Sequence, residues 1–266
     1  MTRRTFLAAA APLLATAQEI LDLAPPKADA RISYVPEGPQ FGDLRLPAGK
    51  GPHPVVIFIH GGFWKAAYSL EHAGHACGAL TKSGAATWSL EYRRIGDAGG
   101  GWPGTLDDVE RGARHIHELA KRYSLDLDKV VVAGHSAGGQ LALWLGAQKP
   151  VALRAVVSLA GVADLRRAWE LGLSEGIVAK FLGGSPDQVP DRYAQADPLE
   201  RLPIAGKQRL VHGTADDIVP CEISERFSKA SKNSQLIALE GAGHFALIDP
   251  RTTEWKKVSA AILNWD

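Results

Sequence analysis

The chain has 266 residues, 45% of them hydrophobic and 22% charged, which are ordinary globular values and enough to bury a large core. A net charge of +1 excludes the basic field that would draw a protein to nucleic acid or to anionic lipid. Only two cysteines occur, Cys77 and Cys221, without CxxC spacing, which excludes a disulfide framework and leaves a structural zinc site unsupported.

Taken in chain order, the first residues read as an address. Thr2-Arg3-Arg4-Thr5-Phe6-Leu7 fits a twin-arginine export signal, an apolar run reaches Ala15, and Ala15-Thr16-Ala17 is an A-x-A cleavage site. The run is far shorter than the roughly 20 apolar residues of a bilayer span. Residues 1–17 are therefore expected to be removed, and the mature protein to work in the periplasm or outside the cell. Residues 18–30, with Pro25-Pro26, form a leader to a single domain over 31–266. Arg31–Val35 and Phe41–Leu46 are expected to pair as an antiparallel hairpin.

From there apolar strands alternate with amphipathic helices. Pro54–Ile59 is a continuous apolar run, as a strand buried on both faces requires, and Ala86–Tyr92, Lys129–Ala133, Ala155–Leu159, Gln208–His212 and Gln235–Leu239 repeat the theme. Leu106, Val109, Ala113, Ile116 and Ala120 make one apolar helix face, and Ala137–Gln148 and Thr252–Trp265 are further helices. Such alternation builds a parallel sheet with helices on both sides. Residues 162–205 break the rhythm. The segment is too long for a simple crossover and is expected to form a small cap over the site.

Gly134-His135-Ser136-Ala137-Gly138 fits G-x-S-x-G, with a strand running into it and a helix running out. That is the context of a nucleophile elbow, with Ser136 exposed on the turn. A serine needs a base, and His244 in Gly241-Ala242-Gly243-His244-Phe245 follows the last strand. The other eight histidines, His72 and His75 on one helix among them, receive no catalytic role. A carboxylate after the preceding strand should orient the base, and Asp216 and Asp217 both qualify. An oxyanion hole needs two backbone N–H groups. Ala137 supplies one, and the loop His60-Gly61-Gly62-Phe63-Trp64 after a buried strand supplies the other.

Together these segments resemble the α/β-hydrolase superfamily from about Pro54 to the end. Within it, His60–Trp64 and Glu91-Tyr92-Arg93-Arg94 are similar to motifs of bacterial esterase/lipase-like enzymes and kynurenine formamidases. The resemblance implies an α/β-hydrolase fold: a mostly parallel eight-stranded sheet, helices on both faces and a helical cap. It implies Gly62 or Phe63 as second oxyanion donor, and Asp216 as the acid, four residues before Pro220. Asp217 would then turn away and cap the helix near Pro220. By the same topology Cys77 and Cys221 lie on opposite faces of the sheet, unpaired. Glu91, Arg93 and Arg94 are expected to form an ion-pair network with Asp107 and Asp108. Phe63, Trp64 and Trp102 are candidates for a substrate pocket, Trp64 foremost. The expected activity is hydrolysis of a small carboxylic ester through an acyl-enzyme, with no metal or organic cofactor. The alternatives are an arylformamidase and a non-catalytic binding protein on a hydrolase scaffold.

Overall fold

The computed structural model describes residues 17–36 and 38–265, so the twin-arginine segment lies outside the described residues. Eight strands form one sheet: β1 (Ala30–Ser33), β2 (Phe41–Arg45), β3 (His53–Ile59), β4 (Ala86–Leu90), β5 (Leu125–His135), β6 (Ala155–Leu159), β7 (Lys207–Gly213) and β8 (Ser234–Leu239). Their spatial order is β1-β2-β4-β3-β5-β6-β7-β8. The β1/β2 hairpin is antiparallel and joins β4 antiparallel, and every later pairing is parallel.

The period-two alternation of each strand sorts its side chains into two cores. On β3, Val55, Ile57 and Ile59 enter one core while Val56 and Phe58 enter the other. The first core is closed by α2 (Gly104–Arg114), α4 (Ala137–Gln148) and α8 (Glu222–Ala230), through residues such as Val109, Leu141 and Phe227. The second is closed by α1 (Gly74–Lys82) and α9 (Trp255–Leu263), through Cys77, Leu80, Val258 and Ile262. Cys77 and Cys221 are free thiols.

The helix expected through Ala120 is two helices, α2 and α3 (Ile116–Arg122), which meet at His115. The cap segment forms α5 (Leu165–Glu170), α6 (Leu173–Leu182) and α7 (Pro190–Ala196). Ser174, Glu175 and Gly176 are left-handed, so α6 is regular only from Ile177. Polar groups fasten this segment to the body. Asp164 caps α5 and pairs with Arg226, and Gln140 of α4 donates to the Ala196 carbonyl at 2.9 Å.

The leader is docked. A 3-10 turn at Ala17–Asp22 buries Ile20 in the second core, where it packs against the turn His244–Leu247. Pro25 and Pro26 then lie against Gly74 and Gly78 of α1, where a Cβ on Gly74 would come 2.4 Å from Pro25. Arg45 donates to the Pro26 carbonyl at 3.0 Å. At the far end of the sheet, before β6, Arg154 Nε donates to the Trp265 carbonyl at 3.0 Å. Among the described residues no helix is long and apolar enough to cross a membrane.

Candidate active site

Ser136 sits between β5 and α4, with φ 57° and ψ −121°. The turn is tight enough that a Cβ on Gly134 would come 2.0 Å from the Gly138 carbonyl, and one on Gly138 would come 2.0 Å from the Ile59 carbonyl. Glycine is the one residue that fits either place. The Ser136 side chain makes no capping bond to its own helix, which separates it from an ordinary N-cap serine. The site lies at the carboxyl ends of the parallel strands, where open α/β sheets leave room for ligands.

The His60–Trp64 loop leaves β3 and passes beside the elbow. A Cβ on Gly61 would stand 2.9 Å from both the Ser136 Cβ and the His135 carbonyl. Gly62, Phe63 and Trp64 all have positive φ, so the loop turns sharply beside the elbow. Gly62 also supports Tyr68, whose Cβ lies 2.5 Å from where a Gly62 Cβ would be. Beneath the loop His60 is fully buried. It stacks on Tyr92 at 4.4 Å and approaches Glu91 at 3.1 Å.

His244 opens the turn after β8 and is 4% exposed, and Ser136, expected to stand exposed on its turn, is buried at 2%. The His244 Nδ1 lies 2.6 Å from Asp216 Oδ2. The other oxygen of Asp216 accepts the backbone N–H groups of Ile218 and Val219, each at 2.9 Å. Burial alone would raise this carboxyl, but the bonds from His212, His244 and the Val219 amide outweigh it and hold Asp216 below the ordinary carboxylate range. Asp217 is exposed. It does not cap α8, whose N-cap position is Cys221 and carries no side-chain cap.

Trp64 departs from its expected place. It is fully buried, stacks on Phe181 of α6 at 4.4 Å, and donates its indole N–H to Gln140 Oε1 at 3.1 Å. It ties the loop to the cap and to α4. Phe63 and Trp102 remain partly exposed, Trp102 under the Arg192 guanidinium at 4.7 Å. The charged network forms with one change of member. Arg93 pairs with Asp108 at 2.8 Å, and Arg94 pairs with Glu91 at 3.0 Å and with Asp97 at 3.1 Å.

Three histidines left without a role lie at this site. His212 donates to the Val219 carbonyl at 2.8 Å and stands 3.4 Å from Asp216, bracing the acid's loop. His135 reaches the His244 carbonyl at 3.0 Å, and His72 reaches His135 at 2.8 Å. The one sequence cue was position: His135 is the variable residue of G-x-S-x-G, and His72 follows the glycine loop.

The chain is 28% identical over 251 residues to Esterase LipC of Mycobacterium tuberculosis, covering 84% of this chain and 61% of that protein. It is 27% identical over 179 residues to Kynurenine formamidase avaC of Aspergillus versicolor, covering 55% of this chain and 62% of the other. It thus spans about three fifths of the length of these two relatives. Its fold matches an esterase of Pyrobaculum calidifontis with a TM-score of 0.75 at 20% identity, over 92% of this chain and 87% of that one. The BD-FAE family model matches residues 43–230. With the eight-stranded sheet and the elbow in place, that match over most of the chain makes this protein a member of the BD-FAE family, within the α/β-hydrolase superfamily.

Proposed function

We propose that the protein is a serine hydrolase of small carboxylic esters, exported by the twin-arginine route, with Ser136 as nucleophile, His244 as base and Asp216 orienting the base. The observation that carries this reading is the backbone of Ser136. A left-handed serine that caps nothing is strain without local return, and such strain gathers at functional sites. The similarity to an esterase favours ester chemistry, and the similarity to a kynurenine formamidase makes a formamide the second substrate to test.

In this mechanism the His244 Nδ1–H donates to Asp216, which fixes the tautomer and leaves Nε2 free to take the Ser136 proton. The serine oxygen attacks the ester carbonyl. The N–H of Ala137, with that of Gly62 or Phe63, stabilises the oxyanion. Collapse expels the alcohol, which takes the proton from His244 Nε2. Water, deprotonated by the same nitrogen, then cleaves the acyl-enzyme and restores Ser136. No step calls on a metal or an organic cofactor.

A fluorophosphonate probe should label the wild-type protein and not Ser136→Ala. That variant should fold normally and lose roughly 10⁴-fold or more of its nitrophenyl-ester turnover. An unlabelled wild type would favour a binding protein on a hydrolase scaffold. Turnover retained in Ser136→Ala would overturn the mechanism. Nitrophenyl esters, acetylated sugars and N-formylkynurenine assayed side by side separate ester from formamide preference.

A further inference from the structure

Outside the triad, the site contains a line of imidazoles whose direction can be worked out from geometry. His135 Nε2 lies 3.0 Å from the carbonyl oxygen of His244, which can only accept, so this nitrogen carries the hydrogen. His135 is fully buried, and burial above all, then the neighbouring His244 and His72, holds it neutral, far below the usual histidine range. A neutral imidazole has one N–H, so His135 Nδ1 is bare and accepts from His72 Nε2–H at 2.8 Å. The remaining nitrogen, His72 Nδ1, is buried without a partner among the described residues. Each bond therefore has one possible sense, from His72 to His135 to the main chain of His244.

The three rings belong to the three parts of the proposed machinery. His72 sits in the 3-10 turn Leu70–Ala73 that follows the glycine loop, and Ser69 caps that turn. Its ring closes on the loop, since a Cβ on Gly61 would stand 3.1 Å from His72 Nε2. His135 is the last residue of β5, directly before Ser136, and is paired with Leu159 of β6. His244 lies 109 residues further on, in a turn introduced by Gly241 at φ 71°. A base on such a turn has to be held to a fraction of an ångström to accept a proton from a serine on another element.

We propose that His72 and His135 are positioning residues, a directed pair that fixes the main chain of the base to the strand carrying the nucleophile. This rests on the reading of Ser136 and His244 given above. The pair touches no substrate and exchanges no proton with it. It sets the distance across which His244 and Ser136 exchange theirs.

The experiment compares His135→Gln, whose amide can donate to the His244 carbonyl and accept from His72, with His135→Leu, which can do neither. On p-nitrophenyl acetate, Gln should keep kcat within about threefold of wild type. Leu should lower it about 30- to 100-fold with KM changed less than about twofold, because only proton transfer is misaligned. Fluorophosphonate labelling should slow by a similar factor. Equal losses in both variants, or a rise in KM matching the fall in kcat, would make the role one of packing and overturn the proposal. So would an unchanged kcat in His135→Leu while Ser136→Ala is inactive, and that result leaves the triad standing. Activity retained in Ser136→Ala instead overturns the underlying mechanism. Should His135→Leu fail to fold, the ¹⁵N-histidine spectrum of the wild type decides. Nε2–H tautomers at both His72 and His135 support the chain, and an Nδ1–H tautomer at His135 overturns it.

Discussion

His244 Nδ1 and Asp216 Oδ2 are 2.6 Å apart, while Asp217, one residue further along the chain, is exposed to solvent. Both aspartates lie in the turn after β7, where the Ile218 and Val219 amides hold one oxygen of Asp216 and leave the other for the ring. Asp216→Asn keeps the shape but favours the wrong imidazole tautomer, and should lower kcat by up to ~10⁴-fold. Asp217→Asn should change kcat by less than about tenfold, as surface substitutions do. Assaying both variants on one ester checks this, and a larger loss at Asp217 would reverse the assignment.

Acid should weaken the fold in two stages. Burial, with His60 and His244 nearby, pushes His72 down to about 3, against about 6.5 for a free histidine. Between those values the unfolded chain binds a proton that the folded chain refuses, so stability falls as pH drops from 6.5 towards 3. Asp216 is depressed in the folded state, so its contribution is intact above about 4 and is lost only below that. Burial pushes Asp197 up to about 7, so its protonation offsets part of this loss between 7 and about 4, and the diagnostic is the difference in urea midpoints between wild type and variant from pH 7 to 3.5. In His72→Gln the decline between 6.5 and 4 should flatten in part, His135 supplying the remainder. An unchanged slope would contradict the burial account.

Trp64 separates packing from recognition. Removing a fully buried indole that stacks on Phe181 should cost about 3–5 kcal/mol in Trp64→Ala, and less in Trp64→Phe. Chemical denaturation reads the loss directly. A raised KM with unaltered stability would return Trp64 to the pocket.

The proposed export rests on residues that lie outside the described part of the chain. Replacing Arg3 and Arg4 by lysine should strand the precursor in the cytoplasm, because the receptor reads the arginine pair. Fractionation of an expressing strain checks it, and normal periplasmic accumulation would remove the export reading.

The parallel strands were legible because each is an apolar run bounded by turns, and the elbow because its glycines admit no other geometry. The first half of β5 was not. Asp126, Asp128 and Lys129 are polar and partly or fully exposed, so periodicity placed the strand start four residues late, at Lys129 rather than Leu125. The neighbours of Trp64 suggest a pocket, whereas its indole is buried on Phe181 and bonded to Gln140, contacts that residue type does not announce. The roles of His72, His135 and His212 depend on partners distant in sequence or on carbonyl groups. Neither leaves a mark in residue type.

The leader joins the body beside the turn that carries His244, while the last helix ends by the amino end of β6, with Trp265 tied to Arg154. The two chain ends are therefore unequal as engineering handles. A purification tag or fusion partner attached directly ahead of residue 18, where the mature chain is proposed to begin, is delivered to the corner of the molecule that holds His244. It has to share that corner with Ile20, whose burial helps hold the turn in place. An attachment after Trp265 leaves from the far side, away from the mouth of the site. Immobilised or fused forms meant to retain activity should be built from that end.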